Sequence, residues 1–374
     1  MKKAVAIVQR RLTGYRIPLF ELMRENLATQ DVLLRLLHGD PTPLELTKND
    51  GGTLPWAEHL PTRYFGGGRI CWQPFMRKVS DCDLVVLTQE NKLVNNLVPL
   101  LNPWRRQKLA FWGHGRNMQS GKPDGLFEQV KRGTTLRVDW WFAYTEITAD
   151  LVRNAGFDDA HITVLNNSVD VETLRQAISA ARQRPSAELR AQFNLPVEGP
   201  VGIYIGSLFA EKKIDLLIAA AGEVHRQVPT FRLLIAGAGP DQIKVERAAA
   251  ASPFITYLGS VQGARKAELL VTADMLLNPG MVGLGILDAF AAGIPILTTD
   301  CRLHSPEIAY LEQGRNGIMT TETEKDFSAA VHRLIAEPET ARKLRQGSAG
   351  SCDKYLLASM AERFCYGIGR ALEL

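Results

Sequence analysis

MLLNPGMVGLGILDAFAAGIPILTTD, residues 275–300, decides how this chain folds. The apolar run Met275–Leu277 ends in Asn278-Pro279-Gly280, and Gly283 then opens a helical stretch, LGILDAFAA, that carries one acid, Asp288. Gly293-Ile294-Pro295 turns the chain into a second apolar run, ILTT. Strand, loop, helix, turn, strand is a βαβ unit, and short apolar runs without strict alternation are what strands buried on both faces look like.

The same grammar extends in both directions. Before this stretch come VGIYIGS (201–207), RLLIAG (232–237) and ITYLGS (255–260), and GIMT (317–320) follows it. The first half repeats the pattern with AVAIV (4–8), VLLRLL (32–37), DLVVLT (83–88), KLAFWG (108–113), WFAYT (141–145) and ITVLNN (162–167). Amphipathic segments such as 213–228 and 267–273 lie between. Alternating strand and helix implies a parallel sheet with right-handed crossovers, and six strands twice over implies two doubly wound α/β domains. The prolines at 185, 196 and 200 place the joint in 182–200, giving domains 1–190 and 196–374, the latter ending in helices.

Composition agrees. A chain of 374 residues exceeds one compact core. Hydrophobic residues at 45% and charged residues at 22% are a globular balance. No apolar run is long enough to span a bilayer, and MKKAVAIVQRR reads as a first strand, not a signal peptide. Five scattered cysteines predict free thiols in a reducing compartment. A cytoplasmic protein is expected. Residues 1–190 hold 26 basic against 20 acidic residues, and the remainder 18 against 20. Residues 91–123 contain Lys92, Arg105, Arg106, Lys108, Arg116 and Lys122 without an acid, interleaved with Trp104, Phe111 and Trp112. A solvated face explains that run. Attraction to an anionic membrane surface or a phosphorylated substrate is the functional alternative.

In open parallel sheets, ligands bind beyond the carboxyl ends of strands, so post-strand loops are the candidates. GSLFAEKKID brings Ser207, Lys212 and Lys213 to a helix start, where lysine opposes the macrodipole; broken local rules concentrate at working sites. GAGP (237–240) lacks the third glycine and the acid of a dinucleotide fingerprint, but its Gly237, after a strand, is a donor-binding candidate. Gly259, Ser260 and Val261 supply a third loop with exposed backbone. In the fourth, Gly280, Met281, Val282, Gly283 and Leu284 offer consecutive N–H groups to an anion, and Asp288 offers a carboxylate to a pair of hydroxyls such as those of ribose.

At these residues the chain resembles the retaining glycosyltransferases of family 4. The resemblance rests on GSLFAEKKIDLLI, RLLIAGAGP, ITYLGSV, the NPG–GILDAFAAGIPIL block and SPEIAYLEQGRNGI, and more loosely on YTE (144–146) and VLNNSVD (164–170). It implies the GT-B fold, two facing Rossmann-like doubly wound domains with a cleft between them. Two departures stand out. Asp288 takes the second glutamate of the family's acid pair, which holds the ribose, but Gly280 takes the first, which touches the donor sugar. Ser207 stands where the family has an arginine beside the diphosphate. Lys212 aligns with the phosphate lysine, with Arg116 and Lys213 as candidates to compensate. His114, in FWGHGRN, matches a cleft histidine near the donor sugar, and Gly14 a close approach to the diphosphate. Lys212, Ser207 and His114 are the expected catalytic residues.

The resemblance further implies a nucleotide-sugar donor, a glycan or lipid-linked acceptor, no nucleic acid, and same-face attack by the acceptor without a protein nucleophile. Asp81-Cys82-Asp83 imitates a metal-binding DxD but precedes its strand, so neither metal nor cofactor is expected. The leaving charge then falls to Lys212, Ser207 and helix-start amides. Two other readings share the architecture: a sugar-nucleotide 2-epimerase, for which Glu307 would be the second cleft acid, and a decayed transferase serving as a binding subunit.

Overall fold

The computed structural model describes residues 2–46, 50–115 and 133–373. They fall into two compact units, one of residues 1–170 with 357–374 and one of residues 171–356.

The first unit holds β1 (Lys3–Gln9), β2 (Val32–His38), β3 (Glu58–His59), β4 (Arg63–Phe65), β5 (Ile70–Trp72), β6 (Leu84–Thr88), β7 (Lys108–Gly113), β8 (Trp140–Ala143) and β9 (Ile162–Val164). Seven of these form a parallel sheet in the order β3-β2-β1-β6-β7-β8-β9, and β4 and β5 form an antiparallel hairpin. All six apolar runs of this half appear as strands. The edge strand β3 and the hairpin were not legible, because two or three residues are too short a run to show a period.

The second unit holds β10 (Val201–Ile205), β11 (Arg232–Ala236), β12 (Ile255–Tyr257), β13 (Met275–Leu277), β14 (Ile296–Thr299) and β15 (Gly317–Thr320). Their order is β12-β11-β10-β13-β14-β15, all parallel. The chain builds outward from β10 to β12, returns beside β10, and builds the other way. The order therefore reverses between β10 and β13, and the carboxyl ends of those strands flank the crevice where open α/β sheets bind ligands.

The units do not divide where the prolines suggest. The helix Val171–Ala181 packs on the helices Gly263–Thr272 and Gly285–Ala292. Arg182 Nη2 donates to the Ala292 carbonyl at 2.7 Å, and Arg184 pairs with Glu268. Residues 171–200 thus belong to the second unit, and the joint lies at Asp170–Val171. The last helix, Leu357–Leu372, instead packs in the first unit: Met360, Phe364 and Ile368 share a core with Phe20, Met23, Trp112 and Phe142. Phe364 stacks on Phe142 at 4.3 Å between ring centroids. Gly367 permits that approach, since a Cβ there would lie 2.5 Å from Thr163 Oγ1.

Asp83 ties the amino end of β1 to β6, accepting from the Ala4 amide at 2.8 Å and from Lys3 Nζ at 3.2 Å. Asp81 pairs with Arg35 at 2.8 Å. Both acids are ion-paired within the first unit. The acidless run at 91–123 is not an acidless surface either. Lys92 meets Glu90, Arg105 meets Asp139 and Lys108 meets Glu373, while Arg116 and Lys122 lie outside the described residues. All five cysteines are buried free thiols. Among the described residues no helix is long and apolar enough to cross a membrane.

Candidate functional site

The loop leaving β13 meets the loop leaving β10 at the point of strand-order reversal. Residues Ala210–Lys212 form a single 3-10 turn, and Lys213 follows at φ 56°, ψ 44° before the helix Ile214–Gln227 begins. The lysines therefore precede the helix, contrary to the expectation that they form its start. The left-handed conformation of Lys213 costs roughly 1–2 kcal/mol for a residue with a Cβ. It also sends the two side chains apart. Lys213 Nζ pairs with Glu322 at 2.5 Å, whereas Lys212 Nζ donates to the Met281 carbonyl at 2.5 Å.

That bond is one of six that fix the β13 loop. Thr299 Oγ1 donates to the Pro279 carbonyl (2.6 Å) and Thr298 Oγ1 to that of Gly280 (3.4 Å). The Met281 amide donates to the Glu211 carbonyl (2.8 Å), and the Ser305 amide to that of Val282 (2.9 Å). The Val282 amide donates to His304 Nδ1 (3.1 Å), and His304 Nε2 lies 2.8 Å from the Thr299 carbonyl. These partners assign the tautomer: Nδ1 is bare and the proton sits on Nε2. Burial holds the His304 pKa below the ordinary imidazole value, which favours this neutral form.

Gly280 is required by this packing. A Cβ would lie 2.2 Å from the Glu211 carbonyl oxygen and 2.4 Å from the Lys212 carbonyl carbon. No side chain, acidic or otherwise, fits there without moving backbone. The anion-binding run also differs from expectation. The Met281 and Val282 amides are already spent, so only the later ones are open. The amides of Gly283, Leu284 and Gly285 donate to no acceptor among the described residues, and all three residues are partly exposed. They lead the helix Gly285–Ala292, whose positive dipole end they form.

Asp288 lies in the first turn of that helix, on the face of Leu284 and Gly285. It is buried, and its Oδ1 pairs with Lys266 Nζ at 2.6 Å. Lys266 is a partner that spacing alone did not reveal. Burial lowers the Lys212 pKa to about 8, opposed by Cys301, Glu211 and Glu307. Lys212 is thus an ammonium at neutral pH and partly neutral above pH 8. Glu307 is buried near Gly283, its Oε2 4.0 Å from where a Cβ would stand.

The other predicted residues are placed as follows. Ser207 is exposed after β10, and its carbonyl accepts from Tyr204 Oη at 2.7 Å. Gly237 has φ 153°, and a Cβ there would lie 1.8 Å from the Gly206 carbonyl oxygen, so packing between post-strand loops requires glycine here. Gly259 accepts from the Gly237 amide at 2.8 Å, with Ser260 exposed and Val261 partly exposed beside it. In the first unit Gly14 follows β1, its amide donating to the Asp50 carbonyl at 2.9 Å. His114 follows β7, exposed, its ring edge-on to Tyr144 at 4.4 Å. His304, Thr298 and Thr299 escaped the sequence reading. Their one signal was position, at or just after the end of β14.

Known proteins share the fold and part of the sequence pattern. Residues 199–337 match the family model described as Glycosyl transferases group 1. The alpha-monoglucosyldiacylglycerol synthase of Acholeplasma laidlawii is 25% identical over 203 residues, 53% of this chain and 50% of that one. The alpha-D-kanosaminyltransferase of Streptomyces kanamyceticus is 26% identical over 196 residues, 50% of each. The chain spans about half the length of these curated relatives. Among solved structures, Anabaena HepE in complex with UDP superposes with a TM-score of 0.72 at 14% identity, over 98% of this chain and 100% of that one, a likeness of fold. The fold is GT-B, two Rossmann-like doubly wound parallel-sheet domains, and residues 199–337 of the chain carry the pattern of Glycosyl transferases group 1.

Proposed function

We propose that this chain is a retaining glycosyltransferase that takes a sugar from a nucleotide-sugar donor, without a metal ion, and passes it to a glycan or lipid-linked acceptor of cell-surface polysaccharide synthesis. The observation that carries the reading is a lysine ammonium beside three uncommitted amides at a strand-order reversal. A diphosphate needs that combination. Its negative charge grows as the sugar departs, and preorganised donors meet it at no cost in reorganisation. In this reading the acceptor oxygen attacks the anomeric carbon on the face the diphosphate leaves. The bond from that carbon to the phosphate oxygen breaks, and the acceptor proton passes to the departing oxygen. Asp288 takes the ribose hydroxyls.

The packing of Gly280 also bears on the decayed-subunit reading. Glycine at 280 follows from the backbone of 211–212 lying against it, so the missing acid is a property of a well-formed loop rather than the mark of a lost one. Exposed Val98, Leu101 and Trp104 on the first unit support a lipid-linked acceptor at an anionic membrane surface.

UDP-glucose, bound in another structure of the Anabaena protein, is the first probe for a thermal-shift panel of nucleotide sugars. A donor at a hundred times its Kd adds roughly 2.7 kcal/mol of stability. The shift persists in EDTA, and the product keeps the donor's anomeric configuration by NMR. No shift with any nucleotide sugar ends the reading.

A further inference from the structure

We propose that His304 is the positioning residue of the donor site, holding the anion-binding loop through its bare Nδ1, so that protonating His304 releases the loop and the donor. The inference rests on the donor reading above and goes beyond it, because His304 touches no substrate.

The Val282 amide is the link between His304 and the loop. Its hydrogen bond runs to an imidazole nitrogen, an acceptor only while the ring is neutral. Once protonated, Nδ1 carries a hydrogen aimed at another N–H, and the attraction becomes a repulsion. Val282 is fully buried, so no water replaces the lost partner cheaply. The Ser305 amide, one residue from His304, holds the Val282 carbonyl, so both backbone polar groups of Val282 depend on the same short segment. The next residue is Gly283, first of the three open amides. A displaced Val282 therefore displaces the anion site.

The surroundings set the direction. Burial and the Lys212 ammonium oppose protonation, while Asp300 and the Thr299 carbonyl favour it; Cys301 Sγ lies 3.6 Å from Nε2. The net effect keeps the ring neutral at pH 7, with protonation below the usual imidazole range. Donor affinity then has an acid limb belonging to His304, falling about tenfold per pH unit below its pKa.

The test uses the full chain and UDP-glucose, or whichever nucleotide sugar gives the largest thermal shift. A pyrophosphate esterified at both ends does not itself titrate in this range. The variants H304N, H304Q and H304A are compared by Kd across pH, with folding checked by circular dichroism. An asparagine oxygen replaces Nδ1 and does not titrate; a glutamine amide reaches the Nε2 position instead. The expected result is that H304N binds donor within about threefold of the unmutated chain at pH 7.5 and shows no acid limb. H304Q and H304A bind at least tenfold more weakly at every pH. An acid limb retained in H304N, or equal affinities in H304N and H304Q, overturns the inference while leaving the donor reading intact. Failure of every nucleotide sugar to bind the unmutated chain overturns the donor reading and the inference with it.

Discussion

The carboxyl edges of the two sheets are finished differently. In the second unit the backbone from Pro279 to Val282 has three carbonyls held by side chains, one by an amide, and two amides already donated. In the first unit, Gln89 Oε1, Trp112 Nε1, Thr145 Oγ1 and Thr148 Oγ1 are buried without a hydrogen-bond partner among the described residues. Those four side chains follow or end β6, β7 and β8. A buried group left unmatched costs about 1–3 kcal/mol, so these side chains are less fully satisfied than the backbone of the β13 loop. A site for a constant group, such as a diphosphate, gains from rigid preorganisation. An edge with spare donors and acceptors suits a partner that brings its own polar groups. Asn278 Oδ1, beside the loop, and Asp241 Oδ2, after β11, are the exceptions in the second unit.

The largest expected effect tests the rigid edge at its cation. Lys212→Ala lowers turnover by about a hundredfold to a thousandfold, more than it weakens donor binding, because the leaving charge is greatest in the transition state. Lys213→Ala leaves turnover within about twofold, since its ammonium faces Glu322 and exposed pairs contribute about 0–1 kcal/mol. Initial rates of nucleoside diphosphate release check both. Inactive Lys213→Ala with active Lys212→Ala reverses the assignment.

Next comes Asp288→Asn, which weakens donor binding by about 1.5–3 kcal/mol if the carboxylate meets the ribose. It also deprives Lys266 of its partner. The double variant Asp288→Asn/Lys266→Met separates the two effects by calorimetric titration and thermal melts. Regained stability without regained affinity supports the ribose role; regained affinity makes Asp288 structural.

Gly280→Ala probes the packing. The added methyl forces the 211–212 backbone away and costs about 1–3 kcal/mol of stability, read as a lower denaturant midpoint. Unchanged stability means that the two loops lie farther apart than described.

The smallest effect is in pH. Burial puts Lys212 at about 8. Its charged form is the one that binds diphosphate, so kcat/KM falls as pH rises through 8, about tenfold per unit beyond it. A bound diphosphate stabilises the ammonium and moves the limb of kcat upward. A kcat/KM flat to pH 10 removes Lys212 from the site.

Much of the architecture was legible because both-face burial writes apolar runs directly into sequence. All twelve runs became strands, whereas the strand order and its reversal beside β13 carry no mark in the sequence. The joint was not legible. Prolines at 185, 196 and 200 punctuate a surface segment of the second unit, whereas the real joint at Asp170–Val171 has no compositional mark. The return of the last helix to the first unit rests on Gly367 meeting Thr163 and Phe142, a fit between distant residues. The placement of Lys212 and Asp288 after strands was legible. The division of the amide run was not, because the partners of Met281 and Val282 come from residues 211 and 304, on two other loops. Gly280 was read as a lost acid; its packing shows a steric requirement that no local pattern contains.

The most direct measurement of the account is residue-resolved amide exchange with and without UDP-glucose, or the nucleotide sugar that binds best. Bound donor should slow exchange at Gly283, Leu284 and Gly285, whose amides are open, and leave Met281 and Val282 nearly unchanged, because theirs are already bonded. A donor that binds while those three amides exchange as before contradicts the claim that the diphosphate sits at this helix start.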